Sequence, residues 1–90
     1  MRLKKVLIEL KIQEKINKKH GIHRKEIEDA LFEGNPLFFK TTEQKYIALT
    51  HKDRYMTIIF THNKDIAKII TAYRSSNWQI KLYKKKKLRK

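Results

Sequence analysis

Cysteine is absent from the 90 residues, which excludes disulfide staples and thiolate metal sites. Proline occurs once and glycine twice, so the chain has few marked breaks. No apolar run approaches the roughly 18–20 residues that cross a bilayer. The basic start Met1-Arg2-Leu3-Lys4-Lys5 resembles the opening of a signal peptide, but Glu9 and Lys11 interrupt the apolar segment after it. We therefore expect a soluble, cytoplasmic protein with no membrane partner. Acid is also scarce, with 9 Asp+Glu against 23 Lys+Arg, for a formal charge of +14. The C-terminal run is only part of this. Residues 81–90 hold seven basic side chains and no acid, leaving 16 against 9, or +7, in the remainder. Such a balance calls for a polyanionic partner, with nucleic acid ahead of an acidic protein or an anionic membrane surface. The hydrophobic content of 40% suffices for one core, and the length predicts one domain.

The pattern along the chain predicts an α+β fold in the order β-α-α-β-β-β-β-α. Residues 4–10 alternate weakly and read as a strand. Ile12, Ile16 and His20 mark one face of a helix over 11–20, which Gly21 ends. A second helix runs from His23 to Glu33 with Ile27, Ala30 and Leu31 inward, and Gly34-Asn35-Pro36 stops it. Strands follow at 37–40, 46–51, 55–62 and 66–73, with short turns at 51–54 and 62–65, forming an antiparallel meander. Ser76 and Gln79 have capping-box spacing for a closing helix. Trp78 and Leu82, four apart, are expected to pin that helix to the core. We expect the helices on one face of the sheet, a domain over 1–83, and a frayed basic tail over 84–90.

Candidate binding residues follow from chemistry and place. Arg74 ends the last strand just before a capped helix, where a phosphate would meet a guanidinium and free N–H groups. Tyr73 beside it can stack or donate a hydrogen bond, or simply pack in the core. Arg54, in a turn, is a second candidate clamp. His51 and His62 flank turns, where they either face a cleft or stand in solvent. Tyr46, Tyr55, Tyr73 and Tyr83 neighbour Lys45, Arg54, Arg74 and Lys84, an interleaving that suits single-stranded RNA. Lys84 and Lys85 begin an electrostatic arm whose grip on any polyanion would depend on salt. No phosphate-binding loop, dinucleotide fingerprint, HExxH or nucleophile elbow is present, so no cofactor or metal is expected. His20 and His23 are three apart, but Gly21 separates them from one helical face.

Several segments together resemble the BrnT family of toxins. They are Lys19-His20-Gly21-Ile22, then Glu26-Ile27-Glu28-Asp29-Ala30-Leu31-Phe32, Asn35-Pro36, Tyr46-Ile47-Ala48-Leu49, the strand Met56–Phe60, and Ala67-Lys68-Ile69-Ile70-Thr71-Ala72, with Tyr83 beyond. The resemblance covers about residues 3–84. It implies a RelE-like ribonuclease fold, metal-independent RNA cleavage, and a cognate antitoxin that covers the toxin and binds operator DNA. The assembly would be a toxin–antitoxin hetero-oligomer or a homodimer. The chain departs from the family pattern where Tyr73 replaces an arginine and Arg74 follows, where His23 replaces Ser or Thr, and where the closing helix reads Trp78-Gln79-Ile80-Lys81.

Metal-independent RNA cleavage needs a base for the 2′-OH, a cation for the phosphorane and an acid for the leaving 5′-oxygen. The expected catalytic set is His20, Arg74, Tyr73 and Arg54. Lys19, His23, His51, His62, Tyr83, Lys84 and Lys85 are expected to bind nucleic acid. His20 also has a bland role, as a cation at a helix C-terminus. A catalytically inactive RNA- or DNA-binding module or regulator of the same fold is the alternative. The acidic second helix (Glu26, Glu28, Asp29, Glu33) would be repelled by a major groove, which argues against a helix-turn-helix regulator.

Overall fold

A computed structural model describes residues 3–41 and 44–88. Its elements follow the expected order: β1 (Lys5–Leu7), α1 (Leu10–His20), α2 (Arg24–Glu33), β2 (Leu37–Lys40), β3 (Lys45–His51), β4 (Tyr55–Asn63), β5 (Ile66–Arg74) and α3 (Asn77–Leu88). Strands β2 to β5 form the antiparallel meander that the alternating pattern predicts. β1 adds at the other edge, parallel to β5, so the five-stranded sheet is mixed and ordered β1-β5-β4-β3-β2.

The first strand is shorter than residues 4–10. Its backbone leaves the ladder after Leu7, and α1 opens at Leu10 behind an extended Glu9. β1 therefore pairs only with residues 66–68 of β5, and α1 packs beside the rest of that strand. Gly21 adopts the left-handed conformation (φ 64°) that ends α1, and its N–H donates to the Asn17 carbonyl.

Alternation along the strands separates two faces. Ala48, Met56, Ile58, Phe60, Ile69 and Ala72 join Ile16, Ile22, Ile27, Ala30 and Leu31 in the main core, beneath α1 and α2. Leu49 and Thr57 belong to the opposite face and are buried there. Gln79 and Tyr83 of α3 cover that face, with Gln79 bonded to Thr57 and Tyr83 packed edge-on against Tyr55. Helices on one face only was thus the wrong expectation, since α3 lies opposite α1 and α2. Trp78 also departs from its expected core position and is 65% exposed. Gln79 and Tyr83, one turn apart, take the sheet-facing stripe, and the helical rotation turns Trp78 outward.

The lysine run does not fray within the described residues, for α3 continues to Leu88. Lysine is a good helix former, and Lys85, Lys86 and Lys87 occupy the last turn, where cations oppose the helix dipole. Arg89 and Lys90 of the expected tail lie outside the described residues. Gly34 ties the two layers together. Its carbonyl accepts from His51 N–H (3.1 Å), and the Thr50 hydroxyl (2.9 Å) and Tyr83 hydroxyl (3.3 Å) lie within reach. A Cβ at this position would run into the Thr50 hydroxyl and the Ala30 carbonyl, which is why glycine stands there.

Candidate functional site

α1 ends where β5 ends, and this brings Lys19 and His20 beside Tyr73 and Arg74. Lys19, His20, Tyr73 and Arg74 line an open depression of about 370 Å³. It adjoins a second depression, of about 300 Å³, where Ile12, Lys15, Ile16, Ile70 and Thr71 meet the same Lys19 and His20. The two form one groove between α1 and β5. His20 is exposed, and its ring lies 6.1 Å from that of Tyr73 at 47°. Lys15, Lys19 and Arg74 have no carboxylate partner among the described residues, so their charge faces the groove uncompensated.

Tyr73 is held from below by a directed hydrogen-bond chain. Gln79 Oε1 accepts from Ser76 N–H (2.9 Å), the Gln-side arm of the expected capping box, and from the Thr57 hydroxyl (3.0 Å). Thr57 spends its one hydrogen on that bond, so the Ser75 hydroxyl (2.8 Å) donates to Thr57. Both acceptances fix the amide, and Gln79 Nε2 must then donate to Tyr73 Oη at 3.2 Å. Tyr73 is the acceptor there, which leaves its own hydrogen free for a ligand in the groove. The spacing of Ser76 and Gln79 pointed to the cap, but nothing local in the sequence links Gln79 to Thr57 or Tyr73.

Arg54 is employed differently from the expectation of a phosphate clamp. Its guanidinium pairs with the Glu26 carboxylate, through Nε to Oε2 and through an Nη2 contact of 2.8 Å to Oε1, and also reaches the Gly21 carbonyl at 3.2 Å. It thereby fastens the β3–β4 turn to the end of α1, one residue past His20. The side-chain bonds of Arg54 hold the Glu26 carboxyl below its ordinary value of 4.5, against a smaller opposing effect of burial. A depressed carboxylate stabilises the fold fully above the unfolded value and loses that contribution as pH falls through its lower folded value. Arg54→Ala should accordingly lower stability by about 1–2 kcal/mol at about pH 7, with the deficit shrinking towards about pH 3. Urea unfolding at the two pH values checks this, and an equal deficit at both would contradict it.

The other expected residues scatter. His23 stands at the N-cap position of α2 without a side-chain capping bond, and its ring lies 3.1 Å from the Asn17 amide, in a separate depression with Gln13 and Glu14. His62 lies near the far end of β4 from Tyr55, roughly 24 Å along the strand, packed edge-on against Tyr46. Tyr83 is only 8% exposed and donates to the Asn35 carbonyl (2.9 Å), which opposes the expectation that it binds nucleic acid. Burial raises its hydroxyl above the ordinary 10.0. Tyr46 stacks on Phe60 and is likewise structural. His51 and Lys84 stand at the same sheet end as Arg74, around Tyr55. Lys85 is exposed on α3. Among the described residues, no three His, Asp or Glu side chains gather as a metal cluster.

No family model matches the chain, and no curated protein matches it. Among solved structures, the chain is similar to the crystal structure of the Brucella abortus ribonuclease toxin BrnT, with a TM-score of 0.67. The match covers 81% of this chain and 97% of that one at 17% identity. At that identity the likeness is one of fold, and the BrnT-like architecture that the resemblance implies is the one observed.

Proposed function

We propose that this protein is a ribonuclease toxin that cleaves single-stranded RNA without a metal and is silenced by a cognate antitoxin. The observation that carries the reading is the groove between α1 and β5, where His20, Lys19, Arg74 and Tyr73 converge on a +14 protein. The fold it shares with a ribonuclease toxin supports the same reading.

In this account His20 takes the proton of the 2′-OH. The 2′-oxygen then attacks the adjacent phosphorus, and the bond to the 5′-oxygen breaks. The products are a 2′,3′-cyclic phosphate and a 5′-hydroxyl. Arg74 and Lys19 stabilise the charge that builds on the phosphorane oxygens, and Tyr73 gives its free proton to the departing 5′-oxygen, which leaves as the 5′-hydroxyl. Arg54 acts only through the backbone, by fixing the end of α1 that carries His20.

Incubating the purified protein with labelled single-stranded RNA in EDTA tests the proposal. Cleavage that persists in the chelator is the expected result, and intact RNA from a folded protein would refute it. The replacement of the arginine expected by resemblance with Tyr73 favours one other reading, a binding module of the same fold. Binding of RNA without cleavage is the result that would select it.

A further inference from the structure

The sheet end that carries Arg74 holds a second group of side chains that the cleavage chemistry does not use. His51 and Tyr55 are cross-strand partners, and their rings stack at 4.0 Å and 10°. Tyr55 meets Tyr83 edge-on at 5.9 Å, and Tyr83 is anchored through its hydroxyl to the Asn35 carbonyl. Lys84 Nζ lies over the Tyr55 ring at 5.5 Å, and Lys87 Nζ over the Tyr83 ring at 5.9 Å. The platform is thus rigid below and cationic at its rim, and His51 is exposed above.

Its place relative to the groove follows from the register. His51, Tyr55, Thr57 and Tyr73 share one face of the sheet, because Thr57 pairs with Tyr73 and His51 with Tyr55. Ser75 N–H donates to the Tyr55 carbonyl at 3.1 Å, which sets the platform directly beside Arg74. Two strand spacings, roughly 10 Å, separate β3 from β5, short enough for one oligonucleotide to touch both. Of the acids near this end, Glu33 pairs with Lys52 and Glu26 with Arg54, and Asp53 stands exposed in the β3–β4 turn beside Lys52.

We propose that His51, Tyr55 and Lys84 form a second nucleotide subsite, which stacks a base of single-stranded RNA outside the cleaved linkage and holds its phosphate. The subsite rests on the ribonuclease reading for the identity of the strand that crosses it. Stacking on an exposed ring is tolerant of sequence, and the phosphate contact adds salt dependence. The site would lengthen the footprint on RNA rather than choose the base cut.

The test uses labelled 2′-O-methyl oligonucleotides, which lack the attacking hydroxyl and stay intact, in lengths of about four and about ten nucleotides. Anisotropy titrations would compare the full chain with His51→Ala, His51→Phe and Lys84→Ala, each checked for folding by circular dichroism. The longer strand should bind the parent more tightly than the shorter. His51→Ala should weaken the longer strand by about ten-fold and close the gap between the lengths, while His51→Phe restores it. Lys84→Ala should lower the salt slope by about one. Unchanged binding of the longer strand by His51→Ala would overturn the subsite and leave the cleavage groove standing. Failure of the parent protein to bind either strand would overturn both.

Discussion

Replacing Arg74 by alanine should lower RNA cleavage by about 100- to 1000-fold while the protein stays folded. The side chain is exposed at the end of β5, has no carboxylate partner among the described residues, and lines the depression with His20 and Tyr73. Nothing in the core depends on it, so the melting temperature should move little. Its charge should matter most when the phosphorane carries extra negative charge, so the loss belongs in kcat more than in KM. Single-turnover cleavage by the two proteins reads this directly. A fall of less than about three-fold would remove Arg74 from the chemistry and return attention to Lys19 and Lys15.

Phe60→Ala should destabilise the fold by about 3–5 kcal/mol, the largest stability effect we expect from one substitution. Phe60 has no exposed surface, sits where the β4–β5 register shifts, and touches Phe38 edge-on at 5.9 Å and Tyr46 face-on at 5.7 Å. Truncation would leave a cavity between rings that the sheet holds apart. A domain of this size has about 5–15 kcal/mol in total, and a +14 charge works against compaction. The variant should therefore unfold at a much lower urea midpoint, and added salt should recover part of the loss. A change below about 1 kcal/mol would mean that the core repacks around the gap.

Local signals in the chain carried the element order and the positions of His20, Tyr73 and Arg74 at element ends. Alternation in residues 55–62 and 66–73 located β4 and β5, Gly21 located the end of α1, and the Ser76–Gln79 spacing located the start of α3. Arg74 and Tyr73 stood out at the end of β5 and His20 through the family resemblance, and the fold brings the three side by side. What escaped depends on contacts distant in sequence. Arg54 meets Glu26, 28 residues away, and no local pattern separates a paired turn arginine from a free one. Tyr83 meets Asn35 across 48 residues, and that contact decides which stripe of α3 faces inward, hence the burial of Tyr83 and the exposure of Trp78. α3 covers the second face of the sheet through contacts distant in sequence, Gln79 with Thr57 and Tyr83 with Tyr55 and Asn35. The lysine run reads as a solvated tail by charge alone, while its helix propensity and position favour continuation to Leu88.

In the proposed function, the groove between α1 and β5 cuts RNA by attack of the RNA's own 2′-hydroxyl. An RNA oligonucleotide carrying one 2′-deoxyribose at the preferred site, cut alongside the all-ribose strand, probes that attack. The single substitution should abolish cutting there, and the all-ribose products should end in 2′,3′-cyclic phosphate and 5′-hydroxyl. Equal cutting of both strands, or products with a 5′-phosphate, would contradict it.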